Sequence, residues 1–359
     1  MKQSGKDYKR VVVKIGSSLF FSESGELDKS IFEKIGNQVV SLRNSGKEVV
    51  LVSSGAIALG MRTLGLTSRP KELSDLQACA AIGQNALMDN YTTFFKKHDI
   101  NCAQILLTWD DLNDRQRYLN AKNTILTLLE RKCIPIVNEN DTISTDEIKF
   151  GDNDRLSGLV GNLVSADLLV ILSDVEGLLD KDKKVIPVVD EITAQIKGLA
   201  CPTNKKTCVG GMITKIEAAH LFTSGTGSSC IIASGLQDDT ILKNVKEPGT
   251  AGTLFVSVGK NLDEKKRWIA FGTKIKGRII VDDGARRALL NKKSLLSVGV
   301  TGLEGSFDSG DIVSVVDKQD CEIARGKVGI AAKQLDKVKG SRFDKEVIHR
   351  DNLVILEEK

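Results

Sequence analysis

The chain has 359 residues and a net charge of +4, with 41% apolar residues and charged residues of both signs making up 27%. That length suits two domains at about 100–200 residues each, and a charge so near balance gives no electrostatic footprint for nucleic acid. No run of about eighteen apolar residues occurs, so a helical membrane span is not expected, and the polar start MKQSGKDYKR does not read as a signal segment.

From Val11 to about Phe255, short β-branched runs alternate with helical patterns. VVVKIG reads as a buried strand. Ile31, Ile35, Val39 and Leu42 then recur at helical spacing, with Asp28 as the cap and Gly46 as the stop. EVVLVSS is a second strand, followed by helical stretches to about His98. Strand-like CAQILL, CIPIV, DLLVILS and CIIAS follow, separated by helix-like YLNAKNTILTLLE, LSGLVGNLVSA and TKIEAAHLF. Strands separated by helices predict an α/β domain over residues 1–260, a mostly parallel open sheet sandwiched by helices. Beyond the charged stretch KNLDEKKRW the period changes. GRIIVDDG, SLLSVGV, DIVSVVD, IARGKVGI and NLVIL are short strand candidates between Gly and Asp turns, with ARRALL as a short helix. They predict a small, mainly β barrel over residues 272–359. Aromatics are only 4% of the chain, so aliphatic side chains must supply most packing. Cysteines 79, 102, 133, 201, 208, 230 and 321 are odd in number without CxxC, and predict buried free thiols of a reducing cytoplasm.

In open parallel sheets, ligands bind beyond the carboxyl ends of the strands. Here those ends are small and polar: Lys14-Ile15-Gly16-Ser17-Ser18, Ser53-Ser54-Gly55, Asn138-Glu139-Asn140-Asp141 and Ser173-Asp174. Gly210-Gly211-Met212 leads into a helix carrying Lys215, placed to reach phosphates held by backbone N–H groups. Neither GxxxxGK[ST], nor a strand-following GxGxxG, nor the HRD and DFG pair is present, which excludes P-loop enzymes and protein-kinase relatives. A strand-end lysine such as Lys14 either snorkels to solvent or faces a ligand, and the residues alone leave both open.

Six motifs, VVVKIGSS, LVSSGAIALG, PIVNENDTIS, EIKFGDNDRLSGLV, SDVEGL and GGMITKIEAA, resemble the amino-acid kinase family in order and approximate spacing. Within it they resemble the branch that phosphorylates glutamate and carries a C-terminal PUA domain, which the tail GRIIVDDGARRALL…EVIHRDNLVIL resembles. The resemblance implies transfer of a phosphoryl group from ATP, with Mg²⁺, to the side-chain carboxylate of L-glutamate, the first step towards proline. It implies catalytic roles for Lys14 and Lys215 on the transferring phosphoryl, for Asp154 in orienting both lysines, and for Lys149 in shaping the site. Ser54, Asp141 and Asn153 match glutamate-binding positions. Lys14, Gly16, Ser173, Asp174 and the segment Val209, Gly210, Gly211, Met212, Ile213, Thr214 and Lys215 match the ATP side. Ser53 and Ser173 stand where the family usually has Thr, and Val209 replaces the Thr that usually precedes GGM. A cytoplasmic homo-oligomer (dimer or tetramer) inhibited by proline is also implied. No residue cluster is expected to hold a metal by itself.

Two alternatives stand beside this reading. One is a kinase of the same fold acting on aspartate, acetylglutamate, carbamate or UMP, against which NEND, GDND and the PUA-like tail weigh. The other is an RNA-binding protein with a degenerate kinase-like half, against which intact Lys14, Asp154 and Lys215 weigh. RNA binding by the tail is not favoured, because it is only slightly basic and lacks an evident aromatic platform.

Overall fold

The computed structural model describes residues 7–20, 27–143, 153–200, 211–224, 227–257 and 262–356. The chain divides into two units, Met1–Asn261 and Leu262–Lys359.

The first unit is built on eight strands: β1 (Arg10–Ile15), β2 (Glu48–Ser53), β3 (Cys102–Leu107), β4 (Ile134–Glu139), β5 (Leu168–Ser173), β6 (Val188–Val189), β7 (Ser229–Ser234) and β8 (Thr253–Phe255). They lie in the order β3-β4-β2-β1-β5-β7-β8-β6. Every pairing is parallel except β7 with β8. The strands alternate along the chain with α1 (Ser17–Phe20), α2 (Lys29–Asn44), α3 (Ala56–Thr63), α4 (Leu73–Lys96), α5 (Trp109–Asn113), α6 (Arg115–Glu130), α7 (Asn153–Leu163), α8 (Ala194–Leu199), α9 (Met212–Thr223) and α10 (Thr240–Lys246). Residues covered on both faces need no polar alternation, which is why β5 is buried along its whole length and reads as one apolar run. Asp28 caps α2, its carboxylate accepting from the Ser30 and Ile31 N–H groups, and Gly46 takes the left-handed turn (φ 84°) after the last turn.

Sequence periodicity passes over β6 and β8, which are two and three residues long, and over α8 and α10. The antiparallel β8 also makes that end of the sheet mixed. Cysteine burial is narrower than expected. Cys79 and Cys230 are buried thiols, whereas Cys102 and Cys133 are half-buried and Cys321 is exposed. Cys321 lies between Asp320 and Glu322, at the end of the polar turn that joins two strands of the second unit, and stays at the surface. Cys201 and Cys208 lie outside the described residues.

Glycines set two close helix contacts near the strand ends. A Cβ added at Gly60 of α3 would fall 1.8 Å from the Cys79 carbonyl oxygen of α4, and one at Gly83 of α4 would fall 1.7 Å from the Ala56 carbonyl oxygen. Between α7 and α9, a Cβ at Gly158 would meet the Ala218 carbonyl oxygen at 2.9 Å, and one at Gly161 would meet the Phe222 ring at 2.6 Å. The backbone approaches at Gly60, Gly83 and Gly158 are open only to residues without a side chain.

The second unit is a five-stranded mixed sheet, β9 (Gly277–Val281), β10 (Val300–Gly305), β11 (Ile312–Val316), β12 (Glu322–Lys327) and β13 (Leu353–Ile355), in the order β10-β9-β11-β12-β13. β9 and β11 run parallel and the other pairs antiparallel. A bridge between Leu295 and Ile348, just ahead of the two edge strands, draws the sheet's ends together around a core that includes Ile279, Val313, Val315 and Ile323. α11 (Glu264–Phe271), α12 (Asp283–Leu290) and α13 (Ala332–Val338) complete it. SLLSVGV is not one strand: Leu295 makes the bridge, Ser297–Gly299 turn as a 3₁₀ helix, and β10 starts only at Val300. The charged stretch before residue 272 holds α11, capped by the Asp263 carboxylate and joined to β12 by the Arg325 guanidinium, which donates to the Ala270 carbonyl at 2.5 Å.

Candidate active site

The chain order reverses its direction of travel across the sheet at β1, with β2 on one side and β5 on the other. A crevice forms beyond the carboxyl ends of strands at such a point. Lys14 enters it from β1. Its chain is surrounded by apolar strand residues, so the side chain is only 6% exposed, and its Nζ lies 2.5 Å from Asp154 Oδ1. Asp154 stands in the first turn of α7, where the helix dipole favours a carboxylate. Its second oxygen receives Lys215 Nζ at 3.2 Å and the Thr214 hydroxyl at 2.8 Å, both from the first turns of α9. Lys215 Nζ also lies 3.3 Å from the Gly211 carbonyl oxygen. One buried carboxylate therefore holds two ammonium groups that come from different elements.

Burial alone would push the Asp154 carboxyl up. The Lys14 and Lys215 charges, with hydrogen bonds from Lys14 and Thr214, outweigh burial and hold it below the usual carboxylate value. The carboxylate is thus ionised at neutral pH, and two cations against one anion leave the cluster net positive.

Gly211 precedes α9 with φ 80° and ψ −134°, a conformation that excludes side chains, and makes no side-chain cap. The first N–H groups of α9, which have no acceptor within the helix, lie beside Lys215, an arrangement suited to an anion. Gly16 lies next to Lys14. A Cβ there would sit 3.8 Å from Lys14 Nζ and 3.4 Å from the Leu172 carbonyl oxygen, inside the crevice. At the end of β5, the Ser173 hydroxyl donates to Asp174 Oδ1 at 2.8 Å.

A second polar group adjoins the first through α7. Asn153, the residue before Asp154, directs Nδ2 to the Ser53 carbonyl (3.1 Å), the Ser54 hydroxyl (2.8 Å) and Asn138 Oδ1 (3.0 Å). A carbonyl oxygen can only accept, so the Ser53 contact fixes which end of the amide points inward. Among the described residues, the buried Asn153 Oδ1 has no hydrogen-bond partner. Gly55 follows Ser54 as the uncapped start of α3. The N-termini of α3, α7 and α9 are in this way tied together by Ser54–Asn153 and by Asp154–Thr214–Lys215. Three positive helix ends and two lysines make a site for anions.

Of the residues singled out from sequence, Lys14, Asp154, Lys215, Thr214, Gly211 and Gly16 form the cationic cluster, and Ser54 with Asn153 form the adjoining polar group. Met212 and Ile213 are the first residues of α9. Asp141 is half-buried in the turn after β4. Lys149, Val209 and Gly210 lie outside the described residues. Sequence reading did not find Gln84, Tyr91 or the bonding role of Asn138. Asn138 Nδ2 donates to Gln84 Oε1 at 2.8 Å, and the Tyr91 hydroxyl lies 2.8 Å from Ser53 Oγ.

Comparison with known proteins shows the family of the chain. Residues 9–234 match the model of the amino acid kinase family, and residues 277–349 match that of the PUA domain. Glutamate 5-kinase of Thermoanaerobacter sp. (strain X514) is 44% identical, with 97% of this chain and 98% of that protein covered. Glutamate 5-kinase of Nitrosospira multiformis is 42% identical over 98% of this chain and 99% of that protein. Among solved structures, carbamate kinase from Giardia lamblia bound to AMP-PNP superposes with a TM-score of 0.51 at 20% identity, covering 70% of this chain and 99% of that one. That likeness concerns the fold.

Proposed function

Because the chain belongs to the amino acid kinase family, in its glutamate 5-kinase branch, we propose that it converts ATP and L-glutamate into ADP and L-glutamyl 5-phosphate, the first step of proline biosynthesis. The observation that carries the chemistry is Asp154, buried between Lys14 and Lys215 at the meeting of three helix N-termini. Bringing a carboxylate up to a triphosphate sets anion against anion. The acceptor is ionised at neutral pH, so no base is required. The site must supply positive charge and in-line placement. One carboxylate oxygen forms the new bond to the γ-phosphorus as the bond to the ADP oxygen breaks. In this reading Lys14 and Lys215 neutralise the transferring oxygens, Asp154 holds both ammonium groups in place, and the α9 N–H groups take up phosphate.

Mg²⁺ accompanies the nucleotide and asks few ligands of the protein. Among the described residues no cluster of three or more His, Cys, Asp or Glu side chains is placed for a metal. Asn153 Oδ1, Ser54 and Asp141 take the amino-acid end of glutamate, the buried acceptor Oδ1 matching an α-ammonium group. No helix of the described residues is long and apolar enough to cross a membrane. A cytoplasmic dimer or tetramer under proline feedback belongs to the same reading.

The RNA-binding alternative is weaker. In the second unit Arg278 pairs with Glu304 and Asp320, Arg286 with Asp317, and Arg325 with Glu322, so these guanidinium groups are already matched by carboxylates.

The test is ADP release across candidate acceptors, with hydroxylamine trapping the acyl phosphate. Glutamate is the expected acceptor. Aspartate is one methylene shorter, and a misplacement of about 1 Å costs around 10²-fold. N-acetylglutamate lacks the ammonium charge and should be turned over poorly. Asp141→Ala should raise the glutamate KM and leave the ATP KM nearly unchanged. Faster turnover of N-acetylglutamate would overturn the substrate assignment.

A further inference from the structure

Helix α4 buries two polar side chains seven residues apart, Gln84 at 8% and Tyr91 at 3% exposure. That spacing is about two turns, so both lie on one face. Buried polar groups are costly unless each finds a partner, and both partners here are strand ends at the site.

Tyr91 is enclosed by the Phe20, Phe32 and Phe95 rings, yet its hydroxyl reaches Ser53 Oγ at the end of β2. Burial, outweighing the Ser53 hydrogen bond, raises its phenol above the ordinary value, so it remains a neutral O–H. Gln84 meets Asn138 near the end of β4, the parallel neighbour of β2. The amide orientations follow from one backbone group. The Glu139 N–H can only donate, and it bonds Asn138 Oδ1 at 2.9 Å. Asn138 must therefore turn Nδ2 to Gln84, and Gln84 must answer with Oε1. Both arms end on Asn153 Nδ2, one through the Ser53 carbonyl and one through Asn138 Oδ1. Lys14, Asp154, Thr214 and Lys215 make their mutual contacts without α4.

We infer that Gln84 and Tyr91 are positioning residues for the amino-acid half of the site. Together they fix the rotation of Asn153, so that its unpaired Oδ1 is presented to the substrate's ammonium group. The inference rests on the proposed assignment of Asn153 to glutamate.

The experiment is steady-state kinetics of the full chain carrying Gln84→Met, Tyr91→Phe or both, with Asn153→Ala alongside. Each single variant should raise the glutamate KM about fivefold to tenfold, the scale of one lost hydrogen bond, with the ATP KM unchanged. The double variant should fall short of the product of the two, because both arms act on one amide. Tyr91→Phe keeps the ring and its packing, so it keeps the test open should Gln84→Met misfold. A glutamate KM within twofold of the parent in a folded Tyr91→Phe enzyme, or equal rises for both substrates, overturns the inference. If Asn153→Ala alone raises the glutamate KM, the inference fails and the site assignment stands. If Asn153→Ala is also silent, the site assignment itself is wrong.

Discussion

Lys215→Ala should turn over about 10²–10³ times more slowly than the parent, the scale for removing one preorganised electrostatic contact. The side chain is 11% exposed at the start of α9 and touches Asp154 and the Gly211 carbonyl, contacts that orient it without carrying the core. Lys14→Ala should lose a similar factor. Neither loss should be recovered by arginine. At Lys14 a guanidinium would have to fit where an ammonium lies 2.5 Å from a buried carboxylate oxygen, and its planar fork does not replace a point charge there. Circular dichroism should show both alanine variants folded, and kcat under saturating ATP and glutamate gives the readout. A folded Lys215→Ala enzyme with near-normal turnover would remove this lysine from the mechanism.

Asp154→Ala should be the variant that damages stability as well as rate. Removing one partner of a buried ion pair costs about 3–5 kcal/mol, and here the loss strands two lysines, with 6% and 11% of their side chains exposed. An added polyanion should then substitute for the missing carboxylate. Inorganic tripolyphosphate should raise the melting temperature of Asp154→Ala more than that of the parent. Equal shifts would show that the two lysines do not face a common anion. The pH dependence has a definite sign. Asp154 has a lowered native pKa, so its stabilisation is fully present above the ordinary aspartate value of 3.8 and is lost only as pH falls through the lowered value. Activity lost on the alkaline side therefore cannot come from this group.

The parts of the site that were legible in the sequence share one property: they interrupt a pattern. Lys14 ends an apolar strand and Gly211 precedes a helical period, so each stands out against its neighbours. Gln84 and Tyr91 interrupt nothing. A Gln or Tyr within a helical period reads as a side chain at the helix surface, and only the fold shows that this face of α4 lies against the ends of β2 and β4. The hydroxyl of Thr214 was similarly visible as a residue of the GGMITK segment but not as a donor to Asp154, since that contact joins residues sixty positions apart. The eight-stranded sheet was legible where strands run six residues. It was not legible at β6 and β8, whose two and three residues hold no period. In the second unit, SLLSVGV has strand-like composition throughout, yet its local geometry changes at Leu295, which pairs with Ile348 far along the chain.

The crossing of α3 and α4 at Gly60 and Gly83 means that durability and selectivity are inherited together. α3 begins directly after Ser54, and α4 bears Gln84 beside Gly83 and Tyr91 two turns on. Any side chain at either glycine would wedge the two helices apart, the added Cβ being within 2 Å of a backbone oxygen at both. It would loosen the core and, by the same displacement, shift the linked Gln84, Asn138 and Asn153 amides. In the proposed reading, variation that tunes which amino acid is accepted has little freedom along this seam; the turn after β4, which carries Asp141, belongs to neither helix.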